Sequence, residues 1–367
     1  MSNDDEYIEH DDKSDDECEE NIRQFAEITN TDEAFAHAML QDDNFDLQAA
    51  LAKFFSGQQA DDLSGDILEV ASSTSTVKIQ TQQITQVPPK KKFRRDNEFP
   101  AELSMVSWNV DATEAAHLNT RFKAVLYLIA KINPEVIFLQ EVTDDVMQAL
   151  TQLMEPVYNM FVSNPTFTYY CVTLVSKNIE VERHEIIEFD TSMGRKAILI
   201  EAQWQKLKLK LINSHLESMK EHSGQRSKQF EQCISKLDAL SRVDPSNTLA
   251  IFGGDLNLRD EEVCALPKNI KDAWKEAGSK MQHKFSWDML KNDNHKNYGR
   301  ARCRFDRIYY SGPYVDVDFS LQGTQRIKQI YCFPSDHFGS AVALQSSRTM
   351  IMCNLLTDTY CFDVYTV

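Results

Sequence analysis

From residue 103 onward, short apolar runs of strand length alternate with helical stretches, and most of the runs stop at a cluster of polar residues. Segments 103–108, 136–139, 170–175, 197–204, 207–214, 249–253, 305–310 and 340–344 read as strands. Segments 119–131 and 225–241 carry helical periodicity. Strands outnumber helices, and 207–214 follows 197–204 across a two-residue turn, so antiparallel pairing is expected. These features predict an α/β fold over 100–346, a four-layered α/β sandwich of two mostly antiparallel sheets flanked by helices. A doubly wound parallel sheet fits less well, and no internal repeat is visible.

The N-terminal part has a different character. Residues 1–66 hold 20 Asp/Glu against 3 Lys/Arg, whereas the other 301 residues hold 36 of each sign. The whole net charge of −17 therefore belongs to the first sixth of the chain and does not argue against nucleic-acid binding by the rest. Residues 1–20, with 11 acidic side chains and one Lys, are expected to be a disordered acidic tail, because they offer too little apolar surface to offset ordering. Over 21–57, three apolar groups mark three short amphipathic helices: Phe25 with Ile28, then Ala34, Phe35, Ala38 and Met39, then Phe45, Leu47, Ala50, Leu51 and Phe54 behind a cap at Asn44. This layout, above all Asn44-Phe45-Asp46-Leu47-Gln48-Ala49-Ala50-Leu51, resembles ubiquitin-associated (UBA) domains, with Ile28-Thr29-Asn30 in place of the usual Met-Gly-Phe-type loop. The resemblance implies a small three-helix bundle that binds ubiquitin. Segment 58–99 is a Ser/Thr/Gln-rich linker ending in Lys90-Lys91-Lys92-Phe93-Arg94-Arg95. That cluster suits a nuclear import signal, hence a nuclear location, or else a tether that touches DNA or is merely solvated.

Composition removes several classes. At 42% hydrophobic residues, the 367-residue chain can bury a proper core. No run of 18 or more apolar residues and no charged-then-apolar leader is present, so neither membrane spanning nor export is expected. The eight cysteines are scattered without a C-x-x-C pair, which suits reduced intracellular thiols and argues against structural zinc.

Six polar segments sit where loops leave the apolar strands: Ser107-Trp108-Asn109-Val110-Asp111, Gln140-Glu141, Asn213-Ser214-His215-Leu216-Glu217-Ser218, Gly254-Asp255-Leu256-Asn257-Leu258-Arg259-Asp260, Arg304-Phe305-Asp306-Arg307 and Ser335-Asp336-His337. Each taken alone has an ordinary explanation as a turn, a cap or a packed histidine. In this order they resemble the endonuclease/exonuclease/phosphatase superfamily over about residues 100–345. The flanks S-H-L-E-S, G-D-x-N-L-R-D and Phe285-Ser286-Trp287-Asp288 resemble its tyrosyl-DNA phosphodiesterase branch, in which a UBA-like segment precedes the catalytic domain. The resemblance implies hydrolysis of the bond that joins an abortive topoisomerase II to a DNA 5′ end. A ligatable 5′ phosphate would remain for double-strand break repair, and the catalytic domain would be monomeric.

Carboxylates and amides without a Cys/His cage suit a hard, oxygen-seeking ion, Mg²⁺ or Mn²⁺. Glu141 is expected as its principal ligand, with Asp111 holding it directly or through water. Asn109 and Asn257 can hold phosphate and water without adding charge. Asp255 is expected to orient or deprotonate the attacking water, and His215 and His337 to meet the non-bridging oxygens. Asp306 would accept from a ring N–H of His337, fixing its tautomer and favouring its charged form. Asp336 is either close to the ion or one layer behind it.

On the DNA side the resemblance places Ser218, Lys220, Asn257, Arg259, Trp287 and Phe305, with aromatic faces for a frayed terminal base. Phe305 could equally be core, and Arg195 and Arg226 could contact phosphate or form surface salt bridges. Three departures stand out: Ala112 replaces a usual Gly, Lys220 replaces a usual Arg, and residues 347–367 extend past the last strand. A different phosphodiesterase of the superfamily, for abasic DNA, messenger RNA tails or inositol phosphates, is the alternative enzyme. A ubiquitin-binding scaffold with a silent catalytic fold is the non-enzymatic one. Titration of ubiquitin into isotopically labelled 19–57 should produce NMR shifts on the apolar face of the bundle. No shift at millimolar ubiquitin would remove the ubiquitin partner.

Overall fold

The computed structural model describes residues 15–29, 36, 37, 40, 45–47, 50, 99–295 and 300–346. The chain divides into two compact units, 1–82 and 83–367. In the first, helix α1 (Asp15–Thr29) starts inside the segment expected to be an acidic tail. Carboxylates are favoured near a helix N-terminus by the helix dipole, so an acidic start does not bar helix formation. Phe25, Ala36, Leu40 and Ala50 bury together, with Ile22, Phe45 and Leu47 packed around them. Asn21 ties α1 to this cluster by donating from Nδ2 to the Phe45 carbonyl at 3.0 Å. The remaining expected helical positions of 31–57, the linker with its basic cluster, and the extension 347–367 lie outside the described residues.

The second unit runs β1 (Glu102–Asn109), α2 (Leu118–Ile132), β2 (Val136–Val142), α3 (Asp144–Met154), β3 (Tyr158–Val162), β4 (Tyr170–Ser176), β5 (Glu180–Glu188), β6 (Lys196–Trp204), β7 (Leu207–His215), α4 (Ser223–Arg242), β8 (Thr248–Asp255), β9 (Lys271–Asp272), α5 (Ala273–Glu276), β10 (Trp287–Asp288), β11 (Arg302–Cys303), β12 (Asp306–Ser311), β13 (Tyr314–Gln322) and β14 (Gly339–Ser346). Two six-stranded sheets form, ordered β13-β14-β1-β2-β4-β3 and β5-β6-β7-β8-β12-β9, with β10 and β11 as a separate ribbon. Every strand pair is antiparallel except β1 with β2 and β7 with β8. These two parallel pairs need long crossovers, and α2 and α4 supply them.

The layers follow from the burial pattern. Leu103, Met105, Phe138, Ile198, Leu211 and Ile251 belong to the core between the sheets. Val106, Trp108, Ile137 and Leu139, one residue out of phase, pack with Phe122, Val125 and Leu150 beneath α2 and α3. Ile212, Ala250 and Phe252 pack on the other side with Phe230, Ile234 and Leu237 of α4. Central strands buried on both faces read as unbroken apolar runs, and all eight expected strands are present. The longer strands not expected, β3, β5 and β13, are sheet edges. In β5 and β13, charges such as those of Glu180-Val181-Glu182-Arg183-His184-Glu185 and of Asp316 and Asp318 suit a strand whose outer side faces water and hide it from apolar counting, whereas the five-residue β3 carries none.

At the end of β8 the backbone admits no side chain. Gly254 has φ +135°, and a Cβ there would lie 1.8 Å from the Ser214 carbonyl oxygen of the paired β7. Gly254→Ala should cost roughly 2–5 kcal/mol through strain and overpacking, read as a fall in the urea midpoint.

Candidate active site

The C-terminal ends of the two parallel pairs face each other across the sandwich. Asn109 ends β1 and donates from Nδ2 to Asp255 Oδ2, at the end of β8, at 3.0 Å. His215 ends β7, and its Nε2 lies 3.3 Å from Asp255 Oδ2 and 3.9 Å from Glu141 Oε1 on β2. The loop before β14 brings His337, whose Nε2 is 3.7 Å from Asp255 and whose Nδ1 donates to Asp306 Oδ2 at 2.7 Å. Ser335 holds that loop on β1 by donating to the Asn109 carbonyl at 2.6 Å and accepting the His337 N–H. Asn257 donates its N–H to Asp255 Oδ1 and its Nδ2 to the Leu216 carbonyl, tying the β8 exit to the β7 exit.

Three of these polar residues, Asp111, Glu141 and Asn257, have φ near +50°, which non-glycine residues rarely adopt. Each is held by local hydrogen bonds, such as Asp111 N–H to Asn109 Oδ1 at 3.0 Å and Ala112 N–H to the Glu141 carbonyl at 3.2 Å. The turn at each strand end throws its side chain into the cleft instead of back into the sheet.

Charge within the cleft is unevenly distributed. Burial, with repulsion from Asp336, raises Glu141 to about 7. Burial likewise raises Asp255 to about 6, with the attraction of His337 opposing and the repulsion of Asp306 adding to it. Burial also raises Asp111. The two histidines go opposite ways. Burial and the Arg195 guanidinium push His215 well below its usual range, and Arg195 Nη1 donates to its Nδ1 at 2.9 Å, leaving the ring proton on Nε2. Burial opposes charge on His337, but Asp306, Asp336 and Asp255 outweigh it and hold the ring cationic. Hydrogen bonds to Asp111 and Asp336 raise His295 to about 10.

The expected constellation is therefore connected: Asn109, Glu141, His215, Asp255, Asn257, Asp306 and His337 are linked by the contacts above. Asp111 and Asp336 join through His295, whose Nε2 is 3.6 and 3.4 Å from them. Trp287 Nε1 donates to Asp336 at 3.2 Å, and the Trp287 ring packs 5.5 Å from Phe305. Phe305, nearly buried, also meets the His337 ring at 6.4 Å and the Arg259 guanidinium at 5.8 Å. Phe305 is thus both core and cleft wall.

Two expected DNA residues stand apart from this constellation. Ser218 donates to Met193 Sδ, and Lys220 is exposed on the turn before α4. Arg226 lies on no surface at all, being fully buried and paired with Glu262. Arg195 is also buried, its guanidinium 5.2 Å from the Tyr169 ring. His295, Arg121 and Tyr169 carried no sequence signal, since each is a lone polar residue outside the six segments. Arg121 reaches from α2 to the Asp111 carboxylate and to the carbonyls of Asp111, Glu114 and Pro334.

The residues fit a divalent cation. Glu141, His215 and Asp255 offer ligand atoms within 4.8 Å of one another, as do Asp111, His295 and Asp336. The upward shifts of Glu141, Asp111 and Asp255, caused first by burial and then by neighbouring carboxylates, mark buried charge that a cation would relieve. Oxygen donors without thiolate suit a hard ion.

Residues 106–337 match the model of the endonuclease/exonuclease/phosphatase family, and residues 16–61 match a UBA-like domain. A 5′-tyrosyl-DNA phosphodiesterase of Caenorhabditis briggsae is 40% identical, with 87% of this chain and 88% of the relative covered. The crystal structure of Caenorhabditis elegans TDP2 has a TM-score of 0.65 at 37% identity, covering 94% of this chain and 98% of that one. The crystal structure of D. rerio TDP2 complexed with single-strand DNA product has a TM-score of 0.62 at 30% identity, covering 67% and 100%.

A proton must leave Glu141 before a cation binds, so cation affinity should rise up to tenfold per pH unit and level off above about 7. Without a cation, Glu141 is protonated in the folded chain but ionised in the unfolded one between its ordinary 4.5 and about 7, so stability falls across that window as pH rises. Added Mg²⁺ should therefore raise the melting temperature more at pH 8 than at pH 5.5. An equal rise at both, measured by scanning fluorimetry, would contradict the assignment.

Proposed function

Because the chain belongs to the endonuclease/exonuclease/phosphatase family, and to its 5′-tyrosyl-DNA phosphodiesterase branch, we propose that it hydrolyses the bond between a tyrosine and a DNA 5′ phosphate. The observation that carries this reading is one cleft holding a buried carboxylate, a cationic and a neutral histidine, and an aromatic wall, all at the meeting strand ends.

Asp255 is immobilised by Asn109 and the Asn257 N–H, and at about 6 it is ionised at neutral pH yet close enough to accept a proton from water. The His337 imidazolium, oriented by Asp306, donates toward a phosphate oxygen and meets the charge that develops there. Neutral His215 donates from Nε2. Asn109 and Asn257 add amide contacts without charge. Glu141, with Asp111 directly or through water, would hold a divalent cation such as Mg²⁺ or Mn²⁺, which when bound would supply positive charge beside the phosphate. Phenolate, with a conjugate-acid pKa of about 10, departs with less protonation than a sugar alkoxide, so this set of groups suffices for a tyrosyl ester.

Trp287 and Phe305 present faces for the terminal nucleotide, and Arg259 stands beside them for its phosphate. That the similar D. rerio TDP2 has been crystallised with a single-strand DNA product supports a single strand entering here. The substrate in the cell would be DNA ends blocked by topoisomerase II, with the UBA-like unit recruiting the enzyme through ubiquitin and the basic cluster directing it to the nucleus.

Asp255→Asn or Glu141→Gln should lower release of tyrosine from a 5′-phosphotyrosyl oligonucleotide by roughly 100-fold or more, with circular dichroism unchanged. Parallel assays on an abasic duplex and on poly(A) distinguish the other family activities. Near-full tyrosine release by either variant would end the assignment.

A further inference from the structure

The guanidinium of Arg226, on the first turn of α4, is fully buried and faces two different loops. Its Nη1 donates to the carbonyls of Glu217 at 2.9 Å and Met219 at 2.8 Å, on either side of Ser218. Its Nε donates to Glu262 Oε2 at 3.0 Å, and its Nη2 to Glu262 Oε1. Glu262 in turn accepts the Arg259 backbone N–H at 2.9 Å, and the attraction of Arg226 holds its carboxyl below the usual range despite burial. One planar fork thus spans the exit of β7 and the exit of β8, the two loops that carry Ser218, Lys220 and Arg259.

The backbone around the fork would not stay in place unaided. Met219 has φ +66°, in the left-handed region, and its carbonyl is one of the two that Arg226 holds. One turn along α4, Gln229 accepts the Glu217 N–H and donates to the Glu217 carboxylate, so the helix grips the same loop twice. A buried ion pair is by itself weak support for stability, since apolar replacement is often neutral. A fork with two carbonyls on one loop and a carboxylate on the other does something apolar packing cannot: it sets the distance between them.

We propose that the Arg226–Glu262 pair is a positioning device for the DNA strand, holding the Ser218–Lys220 loop and the Arg259 loop at the separation that two successive phosphates require. This deepens the phosphodiesterase reading and rests on it. The pair touches none of the groups at Asp255, so its loss acts on DNA engagement and leaves the chemical step intact. Lysine cannot replace Arg226, because an ammonium lacks the planar fork that serves both loops together.

The test compares Arg226→Lys and Glu262→Gln with the unaltered full chain on two substrates. One is a 5′-phosphotyrosyl oligonucleotide of ten nucleotides or so, and the other is the 4-nitrophenyl ester of thymidine 5′-phosphate, which has no second phosphate to place. The expected result is a KM for the oligonucleotide raised roughly tenfold with kcat within twofold, and little change on the small ester. An Arg226→Met/Glu262→Met double variant, which keeps the volume apolar but leaves the Glu217 and Met219 carbonyls and the Arg259 N–H without these partners, should remain folded with a lowered melting temperature and show the same rise in KM. Unchanged oligonucleotide KM in all three variants, or equal losses on both substrates, would overturn the proposal. An unaltered chain that turns over neither substrate would sink the phosphodiesterase reading itself, and the positioning role with it.

Discussion

The interaction on which the site depends is a buried amide pair between the sheets. Gln140 on β2 donates from Nε2 to Asn213 Oδ1 on β7 at 2.9 Å. Asn213 Nδ2 then donates to the Val172 carbonyl and to Thr173 Oγ1 on β4, at 3.1 and 3.2 Å. Both amides are wholly inaccessible to water. Leaving a buried amide unpartnered costs about 1–3 kcal/mol, so sliding one sheet over the other breaks contacts that apolar packing alone would not defend. With the sheets in this relation, Asn109 reaches Asp255, and His215 and Glu141 face each other.

The electrostatics follow from that meeting. Asp111, Glu141, Asp255, Asp306 and Asp336 converge in a space from which much of the water is excluded, and their mutual repulsion must be answered. Arg121 and His295 answer it at Asp111, and the His337 imidazolium answers it at Asp306. His215, two residues past Asn213, buried and in contact with Arg195, is left neutral. Two histidines within reach of one carboxylate therefore have different charge, and the difference is set by what stands behind each ring. Removing the Asp306 carboxylate would withdraw one of the anions that hold the His337 ring cationic.

The strand ends carry the strain of this arrangement. Left-handed backbone at Asp111, Glu141 and Asn257 costs on the order of 1–3 kcal/mol each, and is sustained by hydrogen bonds to neighbouring strand ends. Ala112 lies just past one of these turns and is accommodated because the left-handed residue is Asp111. A site assembled on strained ends needs well-packed strands behind it, and the two parallel pairs, largely buried on both faces, supply them.

Much of this was legible in the chain. Continuous apolar runs betray central strands because a strand covered on both faces must be apolar at every position, and the polar residues that end those runs are conspicuous against them. That contrast marked the polar strand ends, and the order of the six segments, with its resemblance to the endonuclease/exonuclease/phosphatase superfamily, pointed to Asn109, Glu141, His215, Asp255, Asp306 and His337. Edge strands such as β5 escaped because one side faces water and tolerates charge, and α3 escaped for lack of a comparable contrast. Tertiary structure alone decided that Arg226 is a buried bridge and not a phosphate contact, that Phe305 is wall as well as core, and that His295, Arg121 and Arg195 complete the charge pattern. Local sequence specifies which residues can sit on a strand end. Which of them meet depends on how two sheets, far apart along the chain, stack on one another, and proton affinity depends on that meeting through burial and Coulomb interaction, neither of which has a period or a motif to read.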